Sequence, residues 1–290
     1  MRRLFPVTDQ TAPAAAPVPR AHSADLARPA DPAHPADPTD LADREWTLDE
    51  LAEAYAYPAT SGAPPASGAP HHWLRANMVS TLDGAAQHDG RSQPISSDAD
   101  MRIFGTLRGL ADVVLVGAET VRLERYRPAR VRDAFAARRV ADGQAPAPAI
   151  AVVSASLNLD FSLPLFTSPL VPTLVLTGAA ASPDRIHDAE KAGARVIVAG
   201  DGPGVEPDRA VRALADLGLV RQLTEGGPRL LGQFAAAGVL DELCLTVAPL
   251  LTVGSAQRIT GGPGLPDPER FALAAVLEEA GFLFTRYRRI

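Results

Sequence analysis

From residue 72 onward, apolar residues gather in short β-rich runs separated by stretches of helical periodicity. The runs are WLRANMVS (73–80), DVVLVGA (112–118), AIAVVS (149–154), TLVLT (173–177), RVIVA (195–199), QLTE (222–225) and DELCLTVAPLL (241–251). Strand-sized runs alternating with helices predict an α/β domain, in which a largely parallel sheet is covered by helices on both faces. The last segment breaks the rhythm. FALAAVLEEAGFLFTRYRRI holds two runs around Glu279 to Gly281 and predicts an antiparallel hairpin closing one edge of the sheet. Between the first two runs, Ser97 has capping-box spacing to Asp100, and Ile103, Phe104, Leu107 and Leu110 mark one apolar face of a helix.

The first seventy residues follow another pattern. Residues 6–70 hold 12 of the 27 prolines, and such a stretch buries too little apolar surface to offset the entropy of ordering it. Residues 1–43 are therefore expected to be a disordered, removable Pro/Ala-rich tail, 44–71 a short docking helix and linker, and 72–290 the folded domain. The docking helix is EWTLDELAEAYAYP, with Thr47 as N-cap, Glu50 three residues on, and Leu48, Leu51, Ala52 and Tyr55 apolar.

Composition narrows the function. A net charge of −6 provides no basic field for nucleic acid or an anionic membrane, so neither partner is expected. No run is long enough to span a bilayer, and the basic start MRRLFPVTDQ lacks the apolar stretch of a signal peptide, which predicts a cytoplasmic protein. The lone Cys244 excludes an intrachain disulfide and any multi-cysteine zinc site, and no metal is expected.

The chemistry concentrates in QLTEGGPRLLGQF (222–234). A strand ending near Thr224, then Gly226 and Gly227, then Pro228 at the first helical position, leaves a bare helix N-terminus whose N–H groups suit a phosphate. An ordinary tight β–α turn is the competing reading. At the end of DVVLVG, Gly117 and Thr120 offer backbone and hydroxyl contacts to a cofactor, or form a simple turn. Arg108, in the last turn of its helix, either complements the helix dipole or grips a substrate phosphate. Asp83 in LDG is an acid, a substrate contact or a turn former, the last being favoured by the Asp-Gly pair. GDGPGVEPD (200–208) departs from a dinucleotide fingerprint and reads as a connector.

The ordered set STLDG (80–84), GRSQPIS (90–96), LRGLADVVLVGAETV (107–121), VVSAS (152–156), EGGPRLLGQF (225–234) and LDELCLTVAPLLTVG (240–254) resembles the riboflavin-biosynthesis pyrimidine reductases over roughly residues 72–290. That family is the reductase domain of the bifunctional deaminase-reductases, with a dihydrofolate-reductase-like three-layer fold. The resemblance implies NADPH-dependent reduction of 5-amino-6-(5-phosphoribosylamino)uracil, or a close analogue, to the ribitylamino product, and a homodimer. Cofactor contacts are implied at Val79, Pro94, Thr120, Glu124 and Ser154, together with Gly227, Pro228, Arg229, Leu230, Leu231, Gly232 and Gln233, which Gly117 and Gly226 join from the reading of the loops. Substrate contacts are implied at Asn77, Ser92, Arg108, Arg130 and Glu225. Asp83 and Glu225 are the candidate catalytic groups, Glu225 turning toward the substrate because it would repel a pyrophosphate. Three departures stand out: Pro94 where relatives often carry tryptophan, Asn77 where they carry lysine, and LERYRP for their ADDP. The H-x-E and P-C-x-x-C motifs of a zinc deaminase are absent from the sequence. A reductase of a pterin, folate or other heterocycle, and a non-catalytic nucleotide-binding protein, are the alternatives.

Overall fold

The computed structural model describes residues 1–5, 44–58 and 72–290. Its strands are β1 (Arg2–Phe5), β2 (Trp73–Thr81), β3 (Val113–Gly117), β4 (Ala149–Val153), β5 (Leu174–Thr177), β6 (Arg195–Val198), β7 (Arg221–Thr224), β8 (Glu242–Ala248), β9 (Phe271–Glu279) and β10 (Phe282–Arg289). They form one sheet in the order β1-β9-β10-β8-β2-β7-β3-β4-β5-β6. Pairs from β8 through β6 are parallel, whereas β8–β10, β10–β9 and β9–β1 are antiparallel. The expected hairpin is β9–β10, and its two-residue turn, Ala280 (φ 52°) and Gly281 (φ 82°), has the positive dihedrals that match the twist of the flanking strands.

Both faces of the central strands are buried, so their side chains divide by parity. Val114 and Val116 of β3 join one apolar cluster, and Val113 and Leu115 join the other. The first cluster packs under α1 (Leu48–Ala54), α2 (Asp98–Leu110), α3 (Ala118–Leu123), α4 (Asp133–Ala141), α5 (Pro164–Thr167) and α6 (Pro183–Lys191). The second packs under α7 (Pro207–Asp216) and α8 (Pro228–Ala236). Three layers result, as the pattern predicts.

Residues Arg2–Phe5 depart from the expected tail. They form the edge strand β1 against β9, and Met1 is buried, its ammonium donating to the Arg44 carbonyl and lying 3.2 Å from Glu279. Residues 6–43 of that tail and 59–71 of the linker lie outside the described residues.

Helix α1 carries the capping box between Thr47 and Glu50. Its C-terminal end is fixed by charges instead of by a glycine. Arg75 donates to the Tyr55 carbonyl at 2.7 Å, and Arg286 donates to the carbonyls of Ala54 at 2.5 Å and Ala56 at 3.2 Å. Both guanidiniums pair with Glu242 of β8, at 2.6 Å and 2.7 Å. Burial by itself would raise the Glu242 carboxyl, but Arg75 and then Arg286 outweigh it and hold it down to about 2. The sequence gives no sign of this network, because the three residues lie on three different strands.

Candidate functional site

The turn from β7 into α8 is built on backbone that only glycine supplies. Gly226 sits at φ +77°, and its carbonyl accepts from Gly117 N at 2.8 Å, while Glu225 N donates to Leu115 O at 3.0 Å. The Gly226–Gly227 peptide is cis. Pro228 occupies the first turn of α8, and Gly227 is an N-cap without a side-chain hydrogen bond. Gly227 has a second reason to lack a side chain. A Cβ there would fall 2.6 Å from Thr120 Oγ1, so the first turn of α3 brings a hydroxyl directly against the start of α8.

These loops border a cavity of about 1050 Å³ at the carboxyl ends of β2, β7, β3 and β4. This is where an open parallel sheet places its ligands. Strand order divides the wall. On the β3–β4 side lie Gly117, Thr120, Ser154 and Ser156, with Gly227, Arg229 and Gln233 of the α8 entry. On the β2 side lie Asn77, Val79, Ser92, Ser96, Asp100 and Phe104. Eight arginines but only four acidic residues line the cavity, although the whole chain carries −6, so its contents are expected to be anionic.

Glu225 stands between the two sides. Arg108 Nε and Nη2 donate to its two oxygens at 2.6 and 2.7 Å, and the Tyr126 hydroxyl donates to Oε2. The Arg108 guanidinium also lies over the rings of Phe104 (4.4 Å) and Tyr126 (5.2 Å). Burial works to lower the Arg108 pKa, and the Glu225 charge more than reverses it. Arg108 therefore serves neither merely the helix dipole nor a phosphate alone, since its fork is already engaged by a carboxylate. Phe104 leaves the apolar face assigned to it and turns under Arg108 into the cavity wall.

Beyond Tyr126 the segment RPARVR carries Arg127, Arg130 and Arg132 along the cavity, stiffened by Pro128. Gly105 of α2 makes room for Arg132, whose guanidinium occupies the space a Cβ there would need. Burial lowers the Arg132 pKa and the Arg108 charge adds to the effect. Ser92 Oγ donates to Glu124 Oε1 at 3.2 Å, so two residues expected at different ligands meet each other. Ser154 Oγ accepts from Leu157 N at 3.0 Å within its own turn.

Several expected residues stand elsewhere. Asp83 is outside the cavity lining, and its carboxylate accepts from the Thr81 hydroxyl, from Thr252 N at 3.2 Å and from Val253 N at 2.7 Å. Those bonds, the Thr81 hydroxyl first, lower it to about 2 and make it the clasp between two loops, as the turn reading has it. Pro94 is exposed at the second position of the 3₁₀ turn Gln93–Ile95, and Gln93 and Ser96 face the cavity instead. Leu231 is 1 % exposed in the core under α8, and Gly232 admits the Gly261 backbone of the β8–β9 loop. Gly226 spends its carbonyl on Gly117.

Sequence reasoning missed Asp100, Ser96, Tyr126, Arg132 and Gly204. The arginine spacing in YRPARVR was the available signal for Arg132. Gly204 belongs to the presumed connector, which reaches the cavity because Gly178 and Gly200 let that loop pack tightly. Asp100 is 7 % exposed, accepting from Ser96 Oγ at 2.5 Å and from Thr246 Oγ1 at 2.6 Å. Burial raises its pKa against the opposing effect of those two bonds.

Residues 72–279 match the family described as the RibD C-terminal domain. Over 204 residues the chain is 27% identical to the Archaeoglobus fulgidus 2,5-diamino-6-ribosylamino-4(3H)-pyrimidinone 5′-phosphate reductase, covering 70% of this chain and 90% of that one. It is similar in structure to a pyrimidine reductase-like protein of Corynebacterium diphtheriae, with a TM-score of 0.69 and 30% identity over 76% of this chain and 92% of the other. Acinetobacter baumannii RibD shares the fold at a TM-score of 0.59 and 17% identity, over 77% of this chain and 59% of that one.

Proposed function

The chain belongs to the RibD C-terminal domain family, and from that membership we propose an NADPH-dependent oxidoreductase that reduces a phosphorylated ribosylaminopyrimidine to its ribitylamino product. The substrate ring is the uracil form or its 2,5-diaminopyrimidinone analogue, the latter being the ring in the name of the Archaeoglobus fulgidus relative. The observation that carries the reading is the joining, on either side of Glu225, of a glycine-based helix entry and an arginine-lined wall within one cavity.

The donor set on the β3–β4 side fits a dinucleotide. The uncapped first turn of α8, the Thr120 hydroxyl and Arg229 would hold its phosphates. When bound, the nicotinamide supplies a hydride. The remaining work falls to this chain's side chains. Arg130 and Arg132 hold the sugar phosphate, the Arg108–Glu225–Tyr126 set presents a fixed carboxylate edge to the amino groups of the pyrimidine, and the apolar side chains of Val79 and Phe104 line the β2 side. Arg122 and Arg125, lining the cavity nearby, favour the 2′-phosphorylated cofactor.

No helix among the described residues is long and apolar enough to cross a membrane. A cytoplasmic homodimer fits this reading, with exposed Leu82, Leu250, Leu251 and Val253 as its apolar contact. Light scattering of the purified chain tests the dimer, and a monomer at micromolar concentration refutes it.

The assay is consumption of NADPH by the full chain with each of the two pyrimidine phosphates. Turnover is expected with at least one, about 100-fold slower in Glu225→Gln, with KM raised more than kcat is lowered in Arg130→Ala. A substrate without a phosphate would be indifferent to Arg130→Ala. Absence of turnover with both pyrimidines sinks the proposal.

A further inference from the structure

Among the acidic residues lining the cavity, Asp100 differs from the other three. Glu225 is paired with Arg108, Glu124 is exposed beside Ser92, and Glu119 is exposed. Asp100 is buried on the substrate side, in the first turn of α2, and its partners are two hydroxyls with no cation: Ser96 Oγ at 2.5 Å and Thr246 Oγ1 at 2.6 Å. Ser96 itself lines the cavity. Groups on the surrounding elements are already committed. Arg102 of the same helix binds Glu279 of β9 at 2.6 Å, and Glu242, on the same face of β8 as Thr246, binds Arg75 and Arg286. Cys244 lies between Glu242 and Thr246 on that face and is pushed up to about 12 by burial. No neighbouring charge contributes to the rise in the Asp100 pKa, which comes from burial.

Resting on the proposed activity, we infer that Asp100, acting through the Ser96 hydroxyl, delivers the proton that opens the sugar ring of the substrate. A cyclic ribosylamine must lose its C1′–O4′ bond before C1′ can accept hydride. With its proton on, Asp100 Oδ2–H donates across the 2.5 Å contact to Ser96 Oγ, whose own hydrogen turns from the carboxyl to the cavity. The nitrogen lone pair forms the C1′=N bond, the C1′–O4′ pair passes to O4′, and O4′ takes a proton from Ser96 Oγ as Ser96 takes one from Asp100. One proton enters and one positive charge appears on the iminium, so the step balances without a redox partner. Thr246 holds the second carboxyl oxygen and keeps the first aimed at Ser96.

A neutral carboxyl as donor predicts a wild-type kcat that is constant at low pH and falls tenfold per pH unit above the Asp100 pKa. Asp100→Asn, which keeps the shape, is expected to lower kcat about 100-fold and to abolish that limb of the profile. Ser96→Ala cuts the relay while leaving the carboxyl, and is expected to lower kcat at least tenfold with Tm and cofactor binding unchanged. These losses belong to kcat and not to KM, which a merely structural role would not separate. Should both variants keep kcat within twofold and retain the wild-type limb, while the wild type reduces a pyrimidine phosphate, the inference alone is overturned. A wild-type chain that reduces neither pyrimidine overturns the activity and this step with it.

Discussion

At Gly227 the space of one methyl group decides whether two loops can meet. Thr120 Oγ1 would lie 2.6 Å from an added Cβ, whereas Gly226 needs its positive φ. Gly227→Ala is therefore expected to destabilise the fold by about 1–3 kcal/mol. Adding Thr120→Ala should restore part of the loss, since it removes the obstructing oxygen. Thermal denaturation of the single and double variants tests this, and equal Tm values for both would refute the steric account. The glycine pair and the proline were legible in the sequence because their conformational demands are local. The identity of the atom that fills the space was not, since Thr120 approaches from another element, helix α3. Asp83 gives the complementary case: its turn signal was local and correct, and the loop amides that occupy its carboxylate lie some 170 residues away.

Elements follow the hydrophobic pattern wherever burial is two-sided or strictly periodic, which is why the runs of β2 to β8 and the β9–β10 hairpin were readable. Helix α1 was readable from its capping box, but its attachment was not. Its last carbonyls rest on Arg75 and Arg286, and these in turn on Glu242. Glu242→Gln would leave two buried guanidiniums short of their counter-charge, at a cost of about 3–5 kcal/mol near neutral pH. The pH dependence has a definite sign. A carboxyl depressed from 4.5 to about 2 contributes stability that is complete above the unfolded value and is lost as pH falls toward the folded one. The difference in stability between wild type and Glu242→Gln should therefore shrink between about pH 4.5 and pH 2. Urea denaturation at several pH values measures it, and a constant difference would exclude Glu242 as the source.

For the molecule as a whole, the edge strand β1 changes what the N-terminal segment does. Deleting residues 1–43 exposes the β9 edge and the site of the buried Met1, so the truncated chain is expected to melt lower and to associate through the open edge. Calorimetry and light scattering of the truncated chain check this, and an unchanged Tm would return residues 1–5 to the status of a tail. By itself the sequence determined the α/β alternation, the closing hairpin, the glycine–proline helix entry and the family resemblance, because each is written in neighbouring residues whose period or backbone demand is local. Only the tertiary structure decided that Arg108 grips Glu225, that Phe104 leaves the core for the cavity, that Asp100 meets Thr246, and that Arg75, Glu242 and Arg286 form one buried network. Those partners come from separate strands and helices, and strand order, which no local pattern encodes, is what brings them within hydrogen-bonding distance.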